Sequence, residues 1–149
     1  MISFKKNKNL SHPVKKIYNL VADVKKYPDF LPWCKNIIIK KKTKKYILTE
    51  VKVGFQNINE IYVCKVLLYP QKRIAVNYIS GPFEYLEIDW KFRKISKNKT
   101  AVNFFCNFKF KSIFLRLCTN FFLENAVEQM VNAFEKKLNS LNNFRIFHQ

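Results

Sequence analysis

The stretch Leu86-Glu87-Ile88-Asp89-Trp90-Lys91-Phe92-Arg93 alternates apolar and charged side chains without a break. A period of two belongs to a β-strand, so Leu86, Ile88, Trp90 and Phe92 share one face and the charges share the other. One dry and one solvated face is the arrangement of an antiparallel sheet. Beyond a turn at Ser96–Lys99 the pattern returns, with Val102, Phe104, Cys106, Phe108 and Phe110 opposed to Asn103, Asn107, Lys109 and Lys111. From Ser112 the period becomes helical. Phe114, Leu117, Phe121, Val127, Met130, Phe134, Leu138 and Leu141 recur at threes, fours and sixes, which predicts a helix of roughly 40 Å. Such a helix is long enough to cross the whole dry face.

Working back toward the N-terminus, Pro70 ends a strand at 58–69, and Ser80-Gly81-Pro82 marks the turn after another at 72–80. Residues 36–41 and 45–55 read as a hairpin whose tip carries Lys40, Lys41, Lys42, Lys44 and Lys45. Residues 2–8 form a first strand. Ser11 is placed to cap a helix with Pro13 in its first turn, and Val14, Ile17, Leu20, Val21 and Val24 give that helix one apolar stripe. Between this helix and the hairpin stands Tyr27-Pro28-Asp29-Phe30-Leu31-Pro32-Trp33-Cys34. Its two prolines each remove a backbone donor and restrict the preceding residue, so an extended break is expected. Its apolar surface exceeds what a turn requires, which makes it either a wedge in the core or a lip over a cavity. The order of elements, without crossover helices, predicts an α+β fold: a curved antiparallel sheet of six to seven strands with helices on one face. No repeat or linker interrupts residues 1–149, so one unit is expected, with its core at about 2–141.

Composition narrows the function. Gly54 and Gly81 are the two glycines, so a glycine-rich phosphate loop is excluded. No apolar run reaches the ~18 residues of a membrane span. The N-terminal MISFKKNKNL has charges but no apolar stretch behind them, so no secretory signal is expected. The net charge of +18 suits an anionic partner. Yet 24 of the 28 cationic side chains are lysine, and Lys, Asn, Phe and Ile, which share A/T-rich codons, supply 69 of 149 residues. Codon bias produces that composition without selection for a partner, and phosphate-gripping surfaces favour the bidentate fork of arginine. No DNA partner is expected.

Catalytic chemistry has little support. His12 and His148 sit at opposite ends of the chain, and the ten acidic residues mostly occupy outward positions. Nothing pairs a nucleophile with a base, and no enzyme activity is expected. Cys34, Cys64, Cys106 and Cys118 form no CxxC, so neither a metal site nor a catalytic cofactor is expected. Cys64 and Cys106 fall within strands and read as small buried apolar groups. The 15 Phe, seven Tyr and two Trp line the inner sheet face and the long helix. They make either a solid core or the wall of an apolar pocket suited to a lipid.

Three segments carry a resemblance. VADVKKYPDFLPWCKN (21–36), GPFEYLEIDWKF (81–92) and AVEQMVNAFEKKL (126–138) together resemble the coenzyme Q-binding START-like proteins of the Coq-ten type, a family shared with the RatA ribosome-association toxins. The match runs from Phe4 to about Leu141 with the motifs in family order. It implies a helix-grip fold, in which the sheet wraps the C-terminal helix around an apolar tunnel. It also implies a non-catalytic carrier of ubiquinone supporting respiration and quinone biosynthesis. By motif position the ligand would meet Pro32, Trp33, Cys34, Phe83, Trp90 and Phe108, and by helical periodicity Phe122, Met130 and Phe134. Lys40, Lys41, Lys42, Lys44 and Lys45 would meet an anionic membrane. The alternative within the same resemblance is a translation regulator bound to the large ribosomal subunit. Its setting would be the cytoplasm or inner-membrane surface of a bacterium, or the matrix side of the mitochondrial inner membrane. Two departures stand out. Ile88-Asp89 precedes Trp90 where the family often has glycine, and Lys136-Lys137-Leu138 replaces a usual Arg-Ala.

Overall fold

The computed structural model describes residues 2–55, 58–111, 125 and 127–141. Its strands are β1 (Ile2–Leu10), β2 (Cys34–Lys42), β3 (Tyr46–Phe55), β4 (Ile58–Tyr69), β5 (Arg73–Ser80), β6 (Phe83–Ser96) and β7 (Lys99–Phe110). They form one seven-stranded antiparallel sheet in the order β1-β7-β6-β5-β4-β3-β2. Strands β2 to β7 are a meander, and β1 joins β7 with Phe4 opposite Cys106. The first two strands of the chain are therefore the two edges of the sheet. The helix α1 (Val14–Ala22) and a 3-10 helix (Val24–Asp29) carry the chain from one edge to the other. Residues 127–141 form a second helix, α2.

The curvature has local causes. Register shifts interrupt the pairing at Cys34/Asn36, Ile39/Lys41, Val63/Cys64, Phe83/Tyr85 and Lys94/Ser96. Each bulge bends its strand and raises the local twist, so the sheet becomes concave on one side. That side is the dry face read from β6 and β7: Leu86, Trp90, Phe92, Val102, Phe104, Cys106, Phe108 and Phe110 are all buried. The α2 side chains Val127, Met130, Val131, Phe134 and Leu138 are buried as well. On the solvated face Arg73 grips Asp89 through two nitrogens, Nε at 2.9 Å from Oδ1 and Nη2 at 2.8 Å from Oδ2, tying β5 to β6.

Several expectations need correction. Ser11 does not cap α1; Pro13 is the N-cap residue and no side chain caps that end. Proline itself brings φ −61°, ready for a helix start, so a cap two residues earlier is unnecessary. The stretch before Phe30 is not extended but a 3-10 helix with Pro28 inside it. A 3-10 helix of six residues tolerates the missing donor, since few of its hydrogen bonds involve that residue. Val24 accordingly belongs to the 3-10 helix rather than to α1. β1 runs two residues further than read, to Leu10. Lys40, Lys41 and Lys42 lie in β2 itself, and the tip is Thr43-Lys44-Lys45, where Thr43 Oγ1 accepts from the Lys45 and Tyr46 amides at 3.1 Å. Leu141, expected on the apolar stripe of α2, is 36% exposed because the contacts end at Leu138. Phe114, Leu117, Cys118, Phe121, Phe122 and His148 lie outside the described residues.

The turn at Ser80-Gly81-Pro82 presses on β4. Gly81 has φ +141°, and a Cβ there would stand 2.6 Å from the Tyr62 Cβ and 2.9 Å from its Cα. Both the backbone conformation and the contact demand glycine. Gly81→Ala is therefore expected to lower stability by about 1–3 kcal/mol or more, measured as a fall in the urea midpoint. An unchanged midpoint would show that the turn relaxes freely.

Candidate functional site

The proline-interrupted run is fastened at several points. The Leu31 amide donates to the Tyr27 carbonyl at 2.8 Å, and the Gly54 amide to the Trp33 carbonyl at 2.9 Å, which joins the run to the end of β3. Lys25 Nζ donates to the Ile37 carbonyl of β2 at 2.7 Å, and the Tyr27 hydroxyl donates to the Val21 carbonyl. Tyr27 and Phe30 then present their rings to α2. Phe134 lies 5.2 Å from Tyr27, 5.1 Å from Phe30 and 5.1 Å from Trp90 between ring centroids, each at an interplanar angle above 60°. Edge-to-face geometry of this kind adds ~0.5–1.5 kcal/mol per pair beyond area burial.

Two apolar cavities flank that contact. One, about 70 Å³, lies between the proline run, the inner faces of β3 to β6 and α2, with Trp33, Cys34, Thr49, Tyr62, Cys64 and Met130 in its wall. The other, about 30 Å³, lies between β1, α1 and α2, with Leu10, Val21, Phe104 and Leu138 in its wall. Trp90 and Phe134 line both cavities. The apolar space beneath α2 is thus divided by one aromatic pair.

The larger cavity is electrically neutral. Burial pushes the Cys34 thiol up to about 11 and raises that of Cys64, so both stay protonated at physiological pH. Burial likewise drives the hydroxyls of Tyr27 and Tyr62 well above the ordinary tyrosine range. Thr49 Oγ1, itself buried, lies 3.2 Å from Cys64 Sγ and 3.4 Å from the Cys64 carbonyl. Trp33 Nε1 is buried without a hydrogen-bond partner among the described residues. No group of three or more His, Cys, Asp or Glu is arranged to hold a metal among them.

Of the residues selected from the sequence, Trp33, Cys34, Trp90, Met130 and Phe134 meet around the larger cavity. Pro32 is exposed and does not line it. Phe83 and Phe108 are buried elsewhere on the sheet, where Phe83 stacks on Phe110 at 4.8 Å and meets Phe108 at 5.8 Å. They line neither cavity. Phe122 lies outside the described residues. The sequence reading overlooked Thr49, Val51, Tyr62 and Val66, which also stand in the wall. The alternations Ile47-Thr49-Val51 and Tyr62-Cys64-Val66 already put these residues on one face of β3 and β4.

A family model described as polyketide cyclase / dehydrase and lipid transport matches residues 10–135. The chain belongs to that family. Among the family's curated members, the ribosome association toxin RatA of Rickettsia prowazekii is 35% identical over 144 residues, covering 92% of this chain and 96% of its own. The mitochondrial coenzyme Q-binding protein COQ10 homolog B of Xenopus laevis is 31% identical over 140 residues, covering 91% of this chain and 57% of its own. The crystal structure of the Zhui aromatase/cyclase from Streptomyces superposes with a TM-score of 0.81 at 14% identity, covering 93% of each chain. That last likeness establishes the helix-grip, START-like architecture alone.

If Phe134 holds α2 to the sheet and the proline run, Phe134→Ala should cost about 3–5 kcal/mol, seen as a lowered urea midpoint. Phe134→Leu should cost less. Equal, small losses in both would mean that α2 is held by its other contacts.

Proposed function

We propose that this protein binds an isoprenoid quinone of the ubiquinone type beneath α2 and carries it, without catalysis, in support of respiration and quinone biosynthesis. The observation that carries the reading is the larger cavity: apolar, aromatic and neutral, with a few hydrogen-bonding groups set into an otherwise dry wall. That combination suits a long apolar molecule with a small polar head. The family relationship to coenzyme Q-binding proteins and the Trp33-Cys34 pair support the same ligand. A ligand pocket usually has ~300 Å³ or more, so entry requires the Trp90–Phe134 pair to part and α2 to shift outward. No helix among the described residues is long and apolar enough to cross a membrane, and the lysines of β2 and of the Thr43–Lys45 tip would provide peripheral contact with anionic lipid, at ~1 kcal/mol per well-placed charge.

A second reading, a RatA-like regulator that binds the large ribosomal subunit and blocks subunit association, is favoured by one observation. The Rickettsia prowazekii relative is matched over 96% of its length. A chain of net charge +18 would also be drawn to ribosomal RNA.

Organic extraction of the purified protein followed by mass spectrometry tests the first reading. A stoichiometric quinone, native or loaded from short-chain ubiquinone, is the expected result, together with absence from ribosomal fractions in moderate salt. Failure to bind any isoprenoid, with co-sedimentation on the large subunit, would overturn it in favour of the second.

A further inference from the structure

The polar groups in the larger cavity are not equivalent. Thr49 is committed to Cys64, and the Tyr27 hydroxyl to the Val21 carbonyl. Trp33 Nε1–H and the Tyr62 hydroxyl differ: the first is a buried donor without a partner, and the second makes no hydrogen bond, among the described residues. Both residues line the same cavity. An orphan donor in a dry wall is costly and uncommon in a native fold, so it points to a ligand group that accepts. Tyr62 is also held firmly. Its ring meets Phe83 edge-on at 5.8 Å, and the Gly81 turn rests against its Cβ.

Resting on the quinone reading above, we infer that Trp33 Nε1–H and the Tyr62 hydroxyl donate to carbonyl oxygens of the ligand ring, so that the site selects the oxidised dicarbonyl form over the reduced dihydroxy form. The chemistry is asymmetric. A carbonyl oxygen needs only donors, and the cavity offers two. In the reduced form each ring oxygen bears a proton that needs an acceptor of its own. Indole nitrogen is a donor only and thiols accept weakly; the hydroxyls of Thr49 and Tyr27, whose protons are engaged, could answer only through an oxygen lone pair, and most strand carbonyls around the cavity belong to the sheet ladder. The reduced ring would accept from Trp33 and still bury an unpaired O–H. Tyr62 can turn its hydroxyl to accept, so it discriminates less than Trp33. Selectivity is accordingly set chiefly by the tryptophan.

The test uses the full chain, stripped of lipid and titrated anaerobically by calorimetry with ubiquinone bearing two isoprene units and with its borohydride-reduced form. The oxidised form should bind about tenfold tighter, the scale of one buried unpaired hydroxyl. That would lower the two-electron potential of the bound couple by about 30 mV. Trp33→Phe should remove most of the preference and Tyr62→Phe part of it, with both forms still bound. Equal affinities in the unsubstituted protein, or a preference that both variants keep, would overturn the inference and leave the quinone reading standing. Binding of neither form would overturn the quinone reading itself. Should circular dichroism show that Trp33→Phe does not fold, the unsubstituted ratio and the Tyr62→Phe response decide by the same criteria.

Discussion

The structure depends on one side chain meeting three elements at once. Phe134 projects from α2 onto Trp90 of the sheet and onto Tyr27 and Phe30 of the proline-interrupted run. A curved sheet cannot bury its concave face alone, and the apolar stripe of α2 needs a surface to cover it. Joining them in a single aromatic cluster holds the proline run in place as well. The same cluster divides the space beneath the helix. Stability and access are thus two properties of one set of rings: what strengthens the contact also closes the passage between the cavities.

The run Tyr27–Cys34 illustrates how a segment can answer two descriptions. Tyr27, Phe30 and Leu31 form a wedge: the first two pack on Phe134, and Leu31 is 2% exposed. Trp33 and Cys34, two and three residues on, are cavity wall. Tyr27 and Leu31 reach that wall as well, so wedge and lip overlap within the same eight residues. Pro32, exposed between Leu31 and Trp33, leads the chain toward β2.

The fold was legible wherever a single period dominated. β6 and β7 declared their faces because polar and apolar side chains alternate over most of their length, Phe105 being an exception, and the apolar positions of α2 from Val127 to Leu138 fell on its buried side. Legibility failed where several weak local preferences competed. Ser11 has the chemistry of a cap, but Pro13 starts the helix by its fixed φ, a constraint stronger than one hydrogen bond. Pro28 signals a break, yet a 3-10 turn accommodates it. The site was only half legible for a different reason. Trp33 and Trp90 are conspicuous by size, whereas Tyr62 acquires its place from register, opposite Val51 across β3 and β4 and beneath the Gly81 turn. Phe83 and Phe108 show the converse. They have the right chemistry and the right face, but sit in a separate aromatic cluster.

Among the described residues the sheet ends in two edge strands, a template for neighbouring chains, and both are lysine-bearing. β2 exposes Lys35, Lys40, Lys41 and Lys42 and is broken by two bulges. β1 uses the opposite device. Lys6 and Lys8 lie between Phe4 and Leu10 on its inward side, and Lys8 is neutralised by Glu135 of α2. A strand that docked on either edge would have to bury ammonium groups or follow an irregular ladder. Part of the large positive charge is therefore explained inside one molecule, as protection against strand-to-strand aggregation. That protection would matter most during the outward shift of α2 proposed for ligand entry, with the concave face briefly wet.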